Sequence, residues 1–263
     1  MNGKALPVWN SLNLITGLGK WAFGGGSFSR DVLQATWKPV WNGMKIDAGM
    51  FVGNPLQTLS RWTWELPQSL IGYTVSALHN TYGGVKHVSY YGGATVIESY
   101  SRNGAIPLFG GGRGVTMGSY IIGERGIKAD PTNELFQHEY GHYLQSQAYG
   151  WTFMPKFGIP SAISAAKKDG NHNNRAFEQD ANARALSYFV DEYGETFAKE
   201  IWDHVIHPII GYSYLDSFYS DINKNAINNA KIKFHGLDLI SWNPAFWGTG
   251  LLYNNQYEKN LKK

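Results

Sequence analysis

The sequence contains no cysteine. That excludes disulfides, thiolate metal sites and a cysteine nucleophile, so any metal ion must be held by His, Asp and Glu. Charge is also scarce. Asp, Glu, Lys and Arg make up 16% of the 263 residues, against the usual quarter, and the net charge is only +3. This balance is too mild, and the basic residues too scattered, for a nucleic-acid partner. No run of 18 apolar residues exists, so no transmembrane helix is expected. The N-terminal apolar stretch that begins with Ala5 to Trp9 is then interrupted by Asn10, Asn13 and Thr16, and no small-residue cleavage site follows, so no secretory signal is read there. Also missing are a Gly-x-Ser-x-Gly elbow and a dinucleotide fingerprint behind a strand. Gly110-Gly111-Gly112 is not followed by the Gly-Lys-Ser/Thr ending of a phosphate loop.

What the chain has in excess is Gly (31), Tyr (16) and Trp (10). Six of the Trp fall before residue 85, where Gly24-Gly25-Gly26 makes a break and Val32–Ala48 and Pro55–His79 carry mixed apolar spacing suited to short helices. Residues 1–85 therefore read as an aromatic, Gly-rich extension that packs on the domain behind it or docks on a membrane or partner. Residues 86–263 read as the main domain. Within it, His87–Tyr91, Ala94–Tyr100 and Val115–Ile122 have the β-branched, aromatic and Gly-bounded pattern of strands. A helix is expected over 130–150, with Asp130 as cap, Pro131 in the first turn and Gly150 as stop. A Pro- and Gly-containing connection spans Trp151–Gly170, and a second helix starts near Asn173 or Asn174 and runs to Tyr193. Ala181, Ala185 and Phe189 repeat along one of its faces. Thr196–His207 reads as a further helix, ahead of an Asn- and Lys-rich tail. The fold class is α+β, a small sheet packed on a pair of helices.

The first helix carries His138-Glu139-Tyr140-Gly141-His142, a His-Glu-x-x-His motif. Residues four apart lie one above the other, so His138 and His142 can grip one ion, and Glu139 beside them can take a proton from water. In a chain with 8 His, a chance match has a probability of about 0.01. A catalytic zinc site usually takes three protein ligands and leaves one position open. The best third ligand is Glu178, 36 positions beyond His142 at the start of the second helix. Asp180 is the rival, and His172 a further candidate in an Asn-rich loop. Asn182, one turn past Glu178, can accept a hydrogen bond from a ligand histidine. Gly141 on one helix and Ala181, Ala183 and Ala185 on the other let the two approach closely enough to share an ion. Donors for a developing oxyanion come from His172, His204, His207, Tyr212 and Tyr214, among which the sequence does not choose. The strand before the motif can offer an edge to an extended peptide.

The stretch from Tyr90 to Ile97, Thr116–Ile121, Ala129-Asp130-Pro131, the His138–His142 motif and Glu178–Ala183 together resemble the C-terminal region of Rhs (YD-repeat) proteins. More broadly they are similar to small gluzincin metallopeptidase domains, in which a downstream Glu completes the zinc site. The likeness covers residues 88–190. It implies zinc on His138, His142 and Glu178, with Glu139 as base. Where many gluzincins carry an acidic residue one turn after the third ligand, this chain has Asn182, and it lacks the YD repeats. The resemblance further implies a toxin or effector exported by a larger secretion machinery, with an immunity protein as partner. Three functions are thus set against one another: a zinc metallopeptidase acting on peptide or protein, a zinc amidase acting on peptidoglycan, and a membrane-active or adhesive module with a structural metal site.

Overall fold

The two central strands of the described sheet are buried on both faces, with described helices packed against each face. A computed structural model describes residues 33–102, 104–106, 112–167 and 172–194. The elements in order are α1 (Leu33–Ala48), a 3-10 turn (Gly49–Phe51), α2 (Pro55–Trp62), α3 (Leu66–Thr81), β1 (Val85–Tyr91), β2 (Ala94–Ser99), β3 (Gly114–Met117), β4 (Tyr120–Gly123), α4 (Glu134–Tyr149), α5 (Ile159–Lys167) and α6 (Ala176–Tyr193). The strands form one mixed sheet in the order β1-β2-β4-β3, with β2 and β4 parallel and the outer pairs antiparallel. The fold is α+β.

Alternation along β2 and β4 sends consecutive residues to opposite faces. Ala94, Val96 and Ile121 meet Phe136, Tyr140, Tyr143 and Leu144 of α4 and Ala185 and Phe189 of α6. Val88, Ile97, Tyr120 and Ile122 meet Ile46, Met50 and Ala77 from the N-terminal helices. The described part of the N-terminal region thus forms one layer, and the motif helix pair forms the other. Polar ties join the N-terminal layer to the far end of α4. Ser146 Oγ donates to Glu65 at 2.8 Å, Trp64 Nε1 to the Gln147 carbonyl at 2.9 Å and Gln68 Nε2 to the Gly150 carbonyl at 2.7 Å. No described helix is long and apolar enough to cross a membrane. The expected helix over Thr196–His207, the Gly24–Gly26 break and the C-terminal tail lie outside the described residues.

Three local expectations need correction. The strand expected over Val115–Ile122 is a hairpin. Gly118 takes φ +60, a left-handed conformation, and folds β3 back on β4. Gly-Ser between two apolar runs is a two-residue hairpin signal. Helix α4 is capped by Asn133, whose Oδ1 accepts from Phe136 N at 3.0 Å, whereas Asp130 caps the preceding turn through Thr132 N. The described part of the expected connection Trp151–Gly170, up to residue 167, is largely helical: a 3-10 turn (Gly150–Thr152), a π turn (Met154–Gly158) and α5. Its Pro155 and Pro160 sit in the first turns of these pieces, where a missing N–H costs nothing.

Helices α4 and α6 pack backbone against backbone. A Cβ placed on Gly141 would lie 2.0 Å from the Ala181 carbonyl oxygen, which cannot swing aside. Substituting Gly141→Val is therefore expected to force the helices apart. The loss should be about 1–3 kcal/mol of stability, typical of overpacking, with metal affinity reduced alongside. Urea unfolding beside a metal titration checks this, and an unchanged midpoint with unchanged affinity would contradict it.

Candidate metal centre

The four-residue spacing places the two imidazoles on one face of α4, with ring centroids 4.9 Å apart and the rings nearly perpendicular. Both turn the same nitrogen toward α6. Glu178 Oε2 lies 2.9 Å from His142 Nε2 and 3.2 Å from His138 Nε2. One donor atom from each of the three falls within 4.8 Å of the others, with His142 and Glu178 buried and His138 nearly so. Among the described residues this is the cluster of His, Asp and Glu able to hold a metal ion.

The far side of each ring explains why Nε2 faces the carboxylate. His138 Nδ1 lies 2.9 Å from Asn182 Oδ1, and His142 Nδ1 lies 2.8 Å from Gln145 Oε1. The Gln145 amide is oriented by its own donor, since Nε2 gives hydrogen bonds to the Phe177 carbonyl at 2.8 Å and to Asp180 Oδ2 at 2.7 Å. Its oxygen therefore faces the ring, and an amide oxygen only accepts. Each Nδ1 thus faces a side-chain amide oxygen to which it can donate. A neutral ring protonated at Nδ1 presents the Nε2 lone pair, the form a metal ion needs. Two such nitrogens and one carboxylate oxygen, with no thiolate, suit a borderline divalent ion. The donor set fits.

Glu178 is itself anchored at its second oxygen. Ser161 Oγ of α5 donates to Oε1 at 2.5 Å, and His172 Nε2 lies 3.4 Å from the same atom. This leaves Oε2 for the shared point. Asp180 is fully buried but committed elsewhere. Its Oδ2 accepts from Gln145 and from Arg184 Nε at 2.8 Å, so it braces the residue that braces His142. His172 stands at the rim with its ring 30% exposed. Glu139 is buried against β3, and its Oε2 accepts from Thr116 Oγ1 at 2.6 Å. Tyr212, His204, His207 and Tyr214 lie outside the described residues.

Gln145, Ser161 and Thr116 are the residues that sequence reasoning missed. Gln145 had a usable signal, because it sits three positions past His142 on the same helical face. Ser161 and Thr116 are brought in by tertiary packing and had none.

Charge in the cluster is tightly coupled. Burial disfavours a charged His138, but its hydrogen bond to Glu178 and the nearby charges of Glu178 and Glu139 outweigh that and push it up to about 9. His142 is raised as well: burial opposes, and Glu178 again outweighs it. Burial alone would raise Glu178, yet the two histidines hold it well below the usual carboxylate range.

No protein-family model matches the sequence, and no characterised protein or solved structure matches it either. The metal-site reading therefore stands on the geometry of a buried His138, His142 and Glu178 in an α+β fold.

Two expectations follow for the metal-free chain. In it, protonated His138 stabilises the fold fully below the unfolded value near 6.5, and that contribution disappears as pH rises through about 9. Metal binding runs the other way, since an ion must displace the proton. Affinity is expected to climb by about tenfold per pH unit for each proton released, up to about pH 9, and then flatten. Calorimetry in buffers of different ionisation enthalpy measures the proton release, and none at pH 7 would contradict it. Separately, Glu178→Ala is expected to weaken metal binding more than Asp180→Ala, which acts only through Gln145. A metal titration giving the reverse order would reassign the ligand.

Proposed function

We propose that the protein is a zinc-dependent metallopeptidase of the gluzincin type. The observation that carries this reading is the convergence of two histidine nitrogens and a buried carboxylate, with a second carboxylate, Glu139, on the same helix beside the first histidine. Zinc bound there would supply Lewis-acid chemistry, making a water more acidic and polarising a carbonyl. The chain's own groups do the rest. Glu139 takes a proton from the attacking water as the water oxygen bonds to the carbonyl carbon. As the carbon–nitrogen bond breaks, Glu139 passes that proton to the leaving amine. His172, half-buried beside Glu178, is the described candidate to donate to the developing oxyanion.

A peptide is favoured as substrate by the sheet. β3 is an edge of the described sheet and runs against the motif helix through Thr116, which would suit pairing with an extended chain beside the site. Export as an effector, and an immunity protein as partner, rest on the likeness to Rhs C-terminal regions.

Glu139→Gln is expected to keep the bound metal and lower hydrolysis of unfolded protein by about 100-fold or more. Retained turnover would remove Glu139 from its role. Running purified peptidoglycan beside the unfolded protein decides the substrate. Cleavage of cell wall alone would make the enzyme an amidase. Activity on neither, with the metal held by four protein ligands, would leave a structural site.

A further inference from the structure

The strand β3 does more to α4 than pack on it. Alternate β3 residues face the motif helix, and two of them, Gly114 and Thr116, meet the Glu139 carboxylate. Thr116 Oγ1 lies 2.6 Å from Oε2 and 3.0 Å from the Glu139 carbonyl oxygen. A threonine hydroxyl has one proton, and the shorter contact to a charged acceptor takes it. Gly114 stands at the other oxygen. A Cβ built there would lie 2.3 Å from Oε1 and 2.7 Å from Cδ. The strand therefore clamps one carboxylate oxygen and leaves bare backbone beside the other. Oε1 accepts no hydrogen bond from any described residue.

We infer that Thr116 is a positioning residue for Glu139, and that the clamp assigns the proton-accepting role to Oε1. The inference rests on the metallopeptidase reading for what Glu139 does, but the clamp itself is a property of the fold. A carboxylate free to rotate would offer either oxygen to water in many orientations. With Oε2 tied to β3, the other oxygen is held in one place against the Gly114 backbone, where any side chain would collide with it. The same edge strand proposed to receive substrate also sets the base, so the scissile bond and the base share one frame of reference.

The test uses the zinc-loaded chain with Thr116→Val, which keeps the shape and removes the donor, and Thr116→Ser, which keeps the donor. Thr116→Val is expected to retain zinc affinity and to lower kcat by about tenfold to a hundredfold at unchanged KM on unfolded protein, with Thr116→Ser restoring most of it. A purely structural threonine would not give that split or that rescue. Independently of activity, urea unfolding of Thr116→Val, Glu139→Ala and the double variant should show coupling of about tenfold in the folding equilibrium constant. Wild-type kcat in Thr116→Val, or no coupling in the cycle, would overturn the inference. If the wild type cleaves nothing while the coupling is present, the clamp stands and the peptidase reading alone fails.

Discussion

The structure depends on one contact, the approach of α4 and α6 at Gly141 and Ala181. A histidine pair on a single helix is two-thirds of a metal site. Glu178 completes it only because α6 comes close enough for a carboxylate to reach between two imidazoles. The approach is permitted by the missing side chain at Gly141, and it is driven by the apolar face behind it. There Phe136, Tyr140 and Tyr143 of α4 and Ala185 and Phe189 of α6 pack over Val96 and Ile121 of the sheet. Burial of that surface, roughly 25 cal/mol per Å² removed from water, supplies the free energy to hold ionisable groups together out of solvent.

Around the three convergent atoms, each group is fixed by a partner from a different element. His138 is oriented by Asn182 of α6, and His142 by Gln145 of its own helix. Glu178 is oriented by Ser161 of α5, and Glu139 by Thr116 of the sheet edge. Gln145 is secured in turn by Asp180, which Arg184 holds. This layering leaves the free atoms of the cluster, two Nε2, one carboxylate oxygen and Oε1 of Glu139, without competing partners from the rest of the described chain. Such pre-arrangement lowers the cost of gathering ligands when an ion enters.

Much of this was legible in the sequence, because it rests on local rules. The His-Glu-x-x-His spacing places the imidazoles by helical geometry alone. Small residues at Gly141 and Ala181 mark the close approach, and the repeat of Ala181, Ala185 and Phe189 marks the buried face of α6. The hairpin at Gly118 was missed because Val115–Ile122 is rich in β-favouring residues on both sides, and Gly118-Ser119 weighed less than the runs around it. The helical character of 151–167 was missed because Pro155 and Pro160 read as breakers, although proline is tolerated in a first turn. Thr116 and Ser161 were invisible for a different reason. They are distant in the chain and carry no motif, so only the folded packing brings them to the site.

The central claim is that His138, His142 and Glu178 hold one metal ion. Elemental mass spectrometry of the purified chain beside His138→Ala tests it most directly. The account predicts close to one equivalent of a divalent metal, zinc by the proposed function, in the wild type and its loss in the variant. A wild type that stays metal-free after reconstitution with zinc, or a His138→Ala chain that retains the full equivalent, would contradict it.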